Sequence, residues 1–349
     1  MKEFKKNSKM DFLMLLLKGR TIIVLVILMV FFSIVEPNFL AIETLFLIAK
    51  HVALYGILGI GMTYVIITGG IDLSVGAICG LVGMIVGGMI NEGVVIKLLG
   101  VTLYFDIPSI CIVGILVGAI VGLVNGYFIT KCKVAPFIAT LGTMYIARGV
   151  AMLRSNGATF SGLTGNEVLG NTGFAIFGRN IGNTPIPFSV IILLVIALFA
   201  AFILNKTPFG WQIKAIGGNI KSAEISGIKI NKKIVIVYIF SGICSAIVGI
   251  ITASQLMAAH PATGESWEMN AIAAAVLGGT SMAGGIGTVG GTIIGAFVIG
   301  VINDGMVMCG VSEFWQMIIK GAVIIGAVII DQIQRDFQTK MALMVRDKN

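Results

Sequence analysis

Charge is scarce in this chain. Only 11% of its 349 residues are Asp, Glu, Lys or Arg, too few for a water-soluble domain built round a single core. Histidine is scarcer still. His51 and His260 stand far apart, neither beside a second ligand at metal spacing nor near a Ser or Cys nucleophile motif, so the sequence offers no catalytic residue and no metal ligands. The five cysteines (Cys79, Cys111, Cys132, Cys244 and Cys309) form no CxxC pair and lie in or beside apolar segments, where they read as small packing residues. The run GGNIKS at 217–222 has Ile220 where a phosphate loop needs Gly, and no strand leads into it, so this chain is expected to bind no ATP and to carry no cofactor of its own. A net charge of +8 could point to nucleic acid, but the basic residues fall in separate loops and not on one folded face, which excludes that partner.

Apolar residues make up the balance. They account for 57% of the chain, with 46 Gly and a mean hydropathy of +1.02, and several runs reach the roughly 20 residues needed to cross a bilayer. The expected fold is an all-α polytopic membrane protein of about ten transmembrane helices. The spans are 21–35, 45–67, 75–90, 107–129, 134–153, 188–204, 234–257, 268–282, 288–309 and 315–331. The eighth is short and its neighbourhood, Gly278 to Gly291, is rich in Gly, so a broken or re-entrant helix is the rival reading there. No small-residue cleavage site follows the first apolar run, which ends in Glu36-Pro37-Asn38 and reads as an uncleaved span.

The basic residues orient this bundle. With both termini cytoplasmic, the inner segments 1–20, 130–133, 205–233 and 331–349 hold 18 of the 24 Lys and Arg, while the outer segments hold Lys97, Arg154 and Arg179. The chain divides into a cytoplasmic segment 1–20, a transmembrane domain 21–331 and a cytoplasmic tail 332–349.

The longest basic interruption, 205–233, carries six Lys against the single acid Glu224. Within it Asn219 is a candidate N-cap and Gly227 a candidate stop, which predicts a helix of about two turns with Ile220, Ala223 and Ile228 along one face. Such a helix has nothing of its own to bury against and suits a partner's groove; a solvated basic loop against lipid headgroups is the plainer reading. Elsewhere, TGGIDLSVG at 68–76 interrupts the membrane pattern, with Asp72 and Ser74 placed to cap the next span or to meet a solute. GGTSMAGG at 278–285 echoes it, as an internal repeat would. Asn125, Thr140, Thr143, Arg148, Asn303 and Asp304 are the polar groups within spans; hydrogen-bonding groups of this kind suit a neutral polyhydroxylated solute, and helix-to-helix bonding is the bland alternative for each.

Four stretches together resemble the membrane permeases of monosaccharide-type ABC importers, the ribose, xylose, arabinose and galactose permeases. They are ITGGIDLSVGA (67–77), VAPFIATLGTMYIARGVAML (134–153), AIGGNIKSAEISGIKINKK (215–233) and MNAIAAAVLGGTSMAGGIGTVGGTIIGAFVIGVINDGM (269–306), and the likeness covers about 45–331. It implies a coupling helix that docks into the ATPase, with Gly217, Gly218, Asn219, Ala223, Ser226, Gly227 and Ile228 on matching positions. The chain departs from the pattern at Ile220, where an acid is common, and at Glu224, where a basic residue is frequent. The resemblance further implies a second permease forming a homodimer round a central path, a cytoplasmic ATP-binding subunit holding ATP and Mg, an extracytoplasmic solute-binding protein, and a place in the bacterial cytoplasmic membrane amid lipid. Path residues expected from the polar groups are Asp72, Ser74, Asn125, Thr140, Thr143 and Asn303. Two other classes compete: a branched-chain amino-acid permease of the same superfamily, and an ion-coupled secondary transporter, which would need carboxylates or Lys deep in its spans.

Overall fold

The computed structural model describes residue 19 and residues 21–97 and 100–346, so almost all of the expected segment 1–20 and the last three residues of the tail lie outside the described residues. Twelve helices carry the described chain: α1 (Thr21–Val35), α2 (Ile42–Ile67), α3 (Val75–Asn91), α4 (Ile107–Thr130), α5 (Pro136–Leu153), α6 (Phe188–Lys206), α7 (Pro208–Gly218), α8 (Ile220–Ile225), α9 (Ile230–Leu256), α10 (Trp267–Leu277), α11 (Val289–Met308) and α12 (Glu313–Arg346). Seven are long and apolar enough to cross a membrane, and α1, α3 and α10 are shorter apolar helices of the same bundle. The all-α polytopic fold is therefore present. The tail 332–346 continues α12 as helix.

Burial divides these helices into two shells. Most of α2, α3, α9 and α11 is buried, whereas the described residues of α12 include no buried one and α4 and α6 turn long rows of Leu, Ile, Val and Phe outward. Helix α4 shows how the sequence sets this up. Gly114, Gly118, Gly122 and Gly126 recur every fourth residue on the buried side, while Ile112, Leu116, Ile120, Leu123 and Tyr127 are exposed on the other. In a bilayer there is no hydrophobic gain from burying one apolar helix against another, so close packing must supply the attraction, and small residues permit it. The backbone of Gly118 lies so near that of Gly242 in α9 that a Cβ on either would overlap the other's carbonyl oxygen.

Two helix breaks interrupt the core. Helix α2 ends at Ile67 and α3 starts at Val75; α10 ends at Leu277 and α11 starts at Val289. Ile67 and Leu277, the last residues of α2 and α10, lie at the end of the bundle where α1 starts: the Ile67 carbonyl accepts from Gly285 N at 2.9 Å, and Thr21 Oγ1, at the start of α1, donates to Leu277 O at 2.6 Å. At eleven residues α10 is only about 16 Å long, half of a bilayer core, so the broken form holds for the eighth span.

Two small sheets lie at the end of the bundle away from α7 and α8. Strands β1 (Val94–Ile96) and β2 (Val101–Leu103) form an antiparallel hairpin, and β3 (Phe160–Ser161) pairs with β4 (Ala258–Ala259), tying the two long outer loops together.

Candidate functional site

The Lys-rich loop folds into α7 and α8. Helix α7 was not expected. Its start is nonetheless written in the sequence: Thr207 is an N-cap whose hydroxyl accepts from Gly210 N, and Pro208 occupies the first helical position. Ile213 and Ile216 are buried beneath it, and at its end Gly217 sits so tightly that a Cβ would overlap the carbonyl oxygen of Ile67 and crowd Gly285 N. Gly218 faces open space, so close approach requires only the first of the Gly pair. The end of α7 thus touches both helix breaks at once.

Helix α8 takes the expected form. Asn219 Oδ1 accepts from Ser222 N at 3.0 Å, and Ser226 Oγ donates to Ser222 O at 2.9 Å. Gly227, at φ +80°, closes the helix: its N–H donates to Glu224 O and the next N–H, of Ile228, donates to Ala223 O, the paired bonds of a Schellman turn. The expected apolar face is turned differently. Ala223 is buried and Ile228 half-buried, whereas Ile220 and Ile225 point outward, Ile225 at 88% exposure. Six residues make fewer than two turns, so Ile225, which was not among the expected face residues, comes to the surface beside the exposed Lys221 and Glu224.

The other candidate residues form a network inside the bundle. Asp72 is fully buried. Its Oδ1 accepts from Ser74 N at 3.0 Å and Ser74 Oγ at 2.6 Å, and its Oδ2 accepts from Ser241 Oγ of α9 at 2.8 Å. Asn125 of α4 donates through Nδ2 to Ser74 Oγ at 2.9 Å and accepts at Oδ1 from Thr143 of α5. Three donors reach the carboxylate, with Asn125 and Thr143 behind Ser74 in a relay, and the N-terminus of α3 adds its positive end, the arrangement that suits an acceptor-only anion. Thr140, also buried, donates to the backbone of its own helix and lies 3.2 Å from the Ile71 carbonyl. One buried acid thus ties the first break to α4, α5 and α9.

Asn303 stands apart from this network, toward the C-terminal end of α11. Both polar atoms of its side-chain amide are buried and make no hydrogen bond of ordinary length and angle among the described residues, the Tyr55 hydroxyl being the polar group close to them. Next to it in sequence, Asp304 is bonded to His51 of α2, Nδ1 to Oδ1, at 2.8 Å. Sequence spacing gave His51 no partner, because the two residues are 253 apart and only the packing of α2 on α11 joins them.

A last cluster was not expected at all. Arg148 of α5 donates from Nη1 to Pro261 O at 2.6 Å and to Thr263 O at 2.7 Å, so the outer loop before α10 is drawn down into the bundle. No group of three or more potential metal ligands occurs among the described residues.

Over residues 44–328 the chain matches the family described as branched-chain amino acid transport system, permease component. The chain belongs to this permease family. It is 44% identical over 309 residues to the ribose import permease protein RbsC of Bacillus subtilis, covering 88% of this chain and 90% of that one. Against RbsC of Escherichia coli K12 the identity is 38% over 319 residues, covering 90% and 94% of the two chains. Against the galactose/methyl galactoside import permease protein MglC of the same strain it is 33% over 331 residues, covering 94% and 97%. No solved structure matches the chain. The permease is a multi-pass protein of the cytoplasmic membrane, and relatives of this kind work as transport subunits, not as enzymes.

Proposed function

We propose that this permease carries a monosaccharide, a ribose-like pentose or a hexose, into the cell by alternating access, driven by a separate cytoplasmic ATPase. The observation that carries the reading is the near full-length likeness to permeases named for ribose, galactose and xylose import. The family description mentions branched-chain amino acids, but these whole-chain relatives are sugar permeases, so that alternative is not favoured. Ion coupling is not favoured on the same ground.

In this reading α8 is the coupling helix: Gly217 seats the end of α7, Gly218 leads from it to the cap Asn219, Ala223, Glu224, Ser226, Gly227 and Ile228 shape α8 and its stop, and Ile225 is offered to a cleft of the ATPase. ATP and Mg belong to that subunit. A solute-binding protein docks on the outer loops, and two copies of the permease enclose the path. Of the path residues read from sequence, Asp72, Ser74, Asn125, Thr140 and Thr143 are buried and bonded in this conformation, so they meet a solute only when α3, α4 and α5 move apart; the Asn303 amide makes no hydrogen bond of ordinary length and angle among the described residues. A nucleotide drives such movement only by binding the two states with different affinity, and α7 and α8 are where that difference reaches the membrane.

The test is uptake of labelled pentoses and hexoses by cells that hold the permease with its ATPase and binding protein. Uptake that survives an ionophore and stops with vanadate is expected. The reverse pattern overturns the reading and makes Asp72 and Asp304 candidates for ion coupling.

A further inference from the structure

Helix α10 begins part-way along the bundle and not at its end. Its first residue, Trp267, stands about 15 Å from Leu277, at the cytoplasmic end, which is half the thickness of a bilayer core. The chain arrives there from outside along β4 and through a turn from His260 to Trp267. Gly264 packs backbone to backbone on Gly76, and Gly76 lies 15 residues, or about 22 Å, inward of Asn91 at the outer end of α3. Tyr55, which meets the Trp267 ring edge to face at 6.3 Å, is likewise deep in α2.

This turn is polar where the surrounding helices are not. Glu265 and Ser266 are exposed on the protomer's surface, and Glu268 is half-buried with Oε2 close over Gly76. Neither Glu forms an ion pair among the described residues; Arg148, which acts on both only through space, donates from Nη1 to the carbonyls of Pro261 and Thr263. Along α1 and α4, and along α6 as far as Phe202, the large exposed side chains are Ile, Val, Leu, Phe and Tyr. A carboxylate held in mid-membrane cannot face acyl chains, so this side of the protomer faces water.

We propose that the turn His260–Trp267 is the wall of the solute path at mid-membrane, that Glu265 and Ser266 line the water-filled path, and that Arg148 is the positioning residue that keeps the turn at this depth. The inference rests on the permease reading above. It assigns to the path a set of residues different from the buried Asp72 network, and it fixes which side of the protomer turns away from lipid. Arg148 acts through two carbonyls and not through the solute, so its loss displaces the wall without removing a solute contact.

Accessibility tests this directly. The permease with its ATPase and binding protein, in right-side-out vesicles, is given Ser266→Cys, Glu265→Cys or, as a lipid-facing control on α6, Leu198→Cys, and is treated with a charged, membrane-impermeant thiol reagent, at rest and with vanadate. The unsubstituted chain supplies the background from its own cysteines. Ser266→Cys is expected to react about a hundredfold faster than Leu198→Cys in at least one state, the factor that excluding a charged reagent from hydrocarbon imposes. Equal, slow reaction of Ser266→Cys and Leu198→Cys in both states, with uptake intact, overturns the proposal. Arg148→Ala is expected to change the Ser266→Cys rate and to raise the solute KM more than it lowers maximal uptake, with Arg148→Lys restoring most of both. If Arg148→Ala does not reach the membrane, Arg148→Gln serves; unchanged reactivity and KM there remove Arg148 from the account. Uptake that ignores vanadate would instead sink the ATP-driven reading while leaving the labelling result standing.

Discussion

The two helix breaks begin alike and end differently. At α2 the N–H of Gly69 donates to Ile66 O and that of Gly70 to Val65 O; at α10 the N–H of Gly279 donates to Val276 O and that of Thr280 to Ala275 O. These are the same Schellman turn, with Gly69 at φ +82° and Gly279 at φ +88° in the same place. Each succeeding helix starts on a hydroxyl residue, Ser74 or Thr288, and then Val. Beyond the turn they diverge. The first break closes on the buried Asp72 and is bolted to three other helices, whereas the second adds Gly284 and Gly285 at positive φ and rests on Gly217 of the cytoplasmic loop. Both touch α7, the first through the Ile67 carbonyl and the second through Gly284 and Gly285, but only the first is also built to hold helices in register through a buried acid.

If that contrast is right, damage to the bolt should register as lost stability. Replacing Asp72 with Ala leaves the buried donors of Ser74 and Ser241 without their acceptor, at roughly 1–3 kcal/mol for each group left unpaired, so a loss of about 3 kcal/mol or more is expected. Thermal unfolding of the detergent-solubilised permease measures it. Asp72→Asn keeps an acceptor for Ser74 and should lose much less; equal losses for Ala and Asn would mean that the charge, not the bonding, is what matters there.

Where the breaks meet α7, damage should register as lost transport. A methyl group at Gly217 overlaps the Ile67 carbonyl and crowds Gly285 N, so Gly217→Ala must push two backbones apart, at about 1–3 kcal/mol by the usual cost of overpacking. Uptake is expected to fall severely while Gly218→Ala, in open space, stays near normal. A third Schellman turn, at Gly227, tests the outer face of the same loop. Gly227→Val places a β-branched residue at φ +80° with no neighbour to clash with, so the strain is local, about 2 kcal/mol. Sugar uptake should be lost with membrane insertion unchanged, and normal uptake by this variant would remove α8 from the coupling account.

How much of this was legible in the sequence depended on how far apart the partners lie. Helix α8 could be read because its cap, Asn219, and its stop, Gly227, act on backbone within four residues. The echo between TGG and GGT could be read for the same reason, and it proves to be one turn geometry used twice. The Asp72 network could be read only in part: the bond to Ser74 spans two residues, whereas the bond to Ser241 spans 169 and needs α9 to be packed first. His51 with Asp304, β3 with β4, and Arg148 with the Pro261 carbonyl are all contacts of this second kind. The outward turn of Ile225 was missed for another reason: a helix of six residues has too little periodicity for its face to be assigned.

The smallest effect is the sharpest test of the likeness between the breaks. Gly69 and Gly279 both face open space, so a Cβ at either meets no neighbour and only the left-handed backbone opposes it. Gly69→Ala and Gly279→Ala should therefore cost the same, about 1 kcal/mol each, although one glycine belongs to the bolted break and the other to the break against α7. Matched small shifts in unfolding temperature would show that the two turns are equivalent as local structures and that the breaks differ only in the residues after the turn. A much larger loss at Gly279 would mean that the two turns are not equivalent as local structures and that neighbours close on the second.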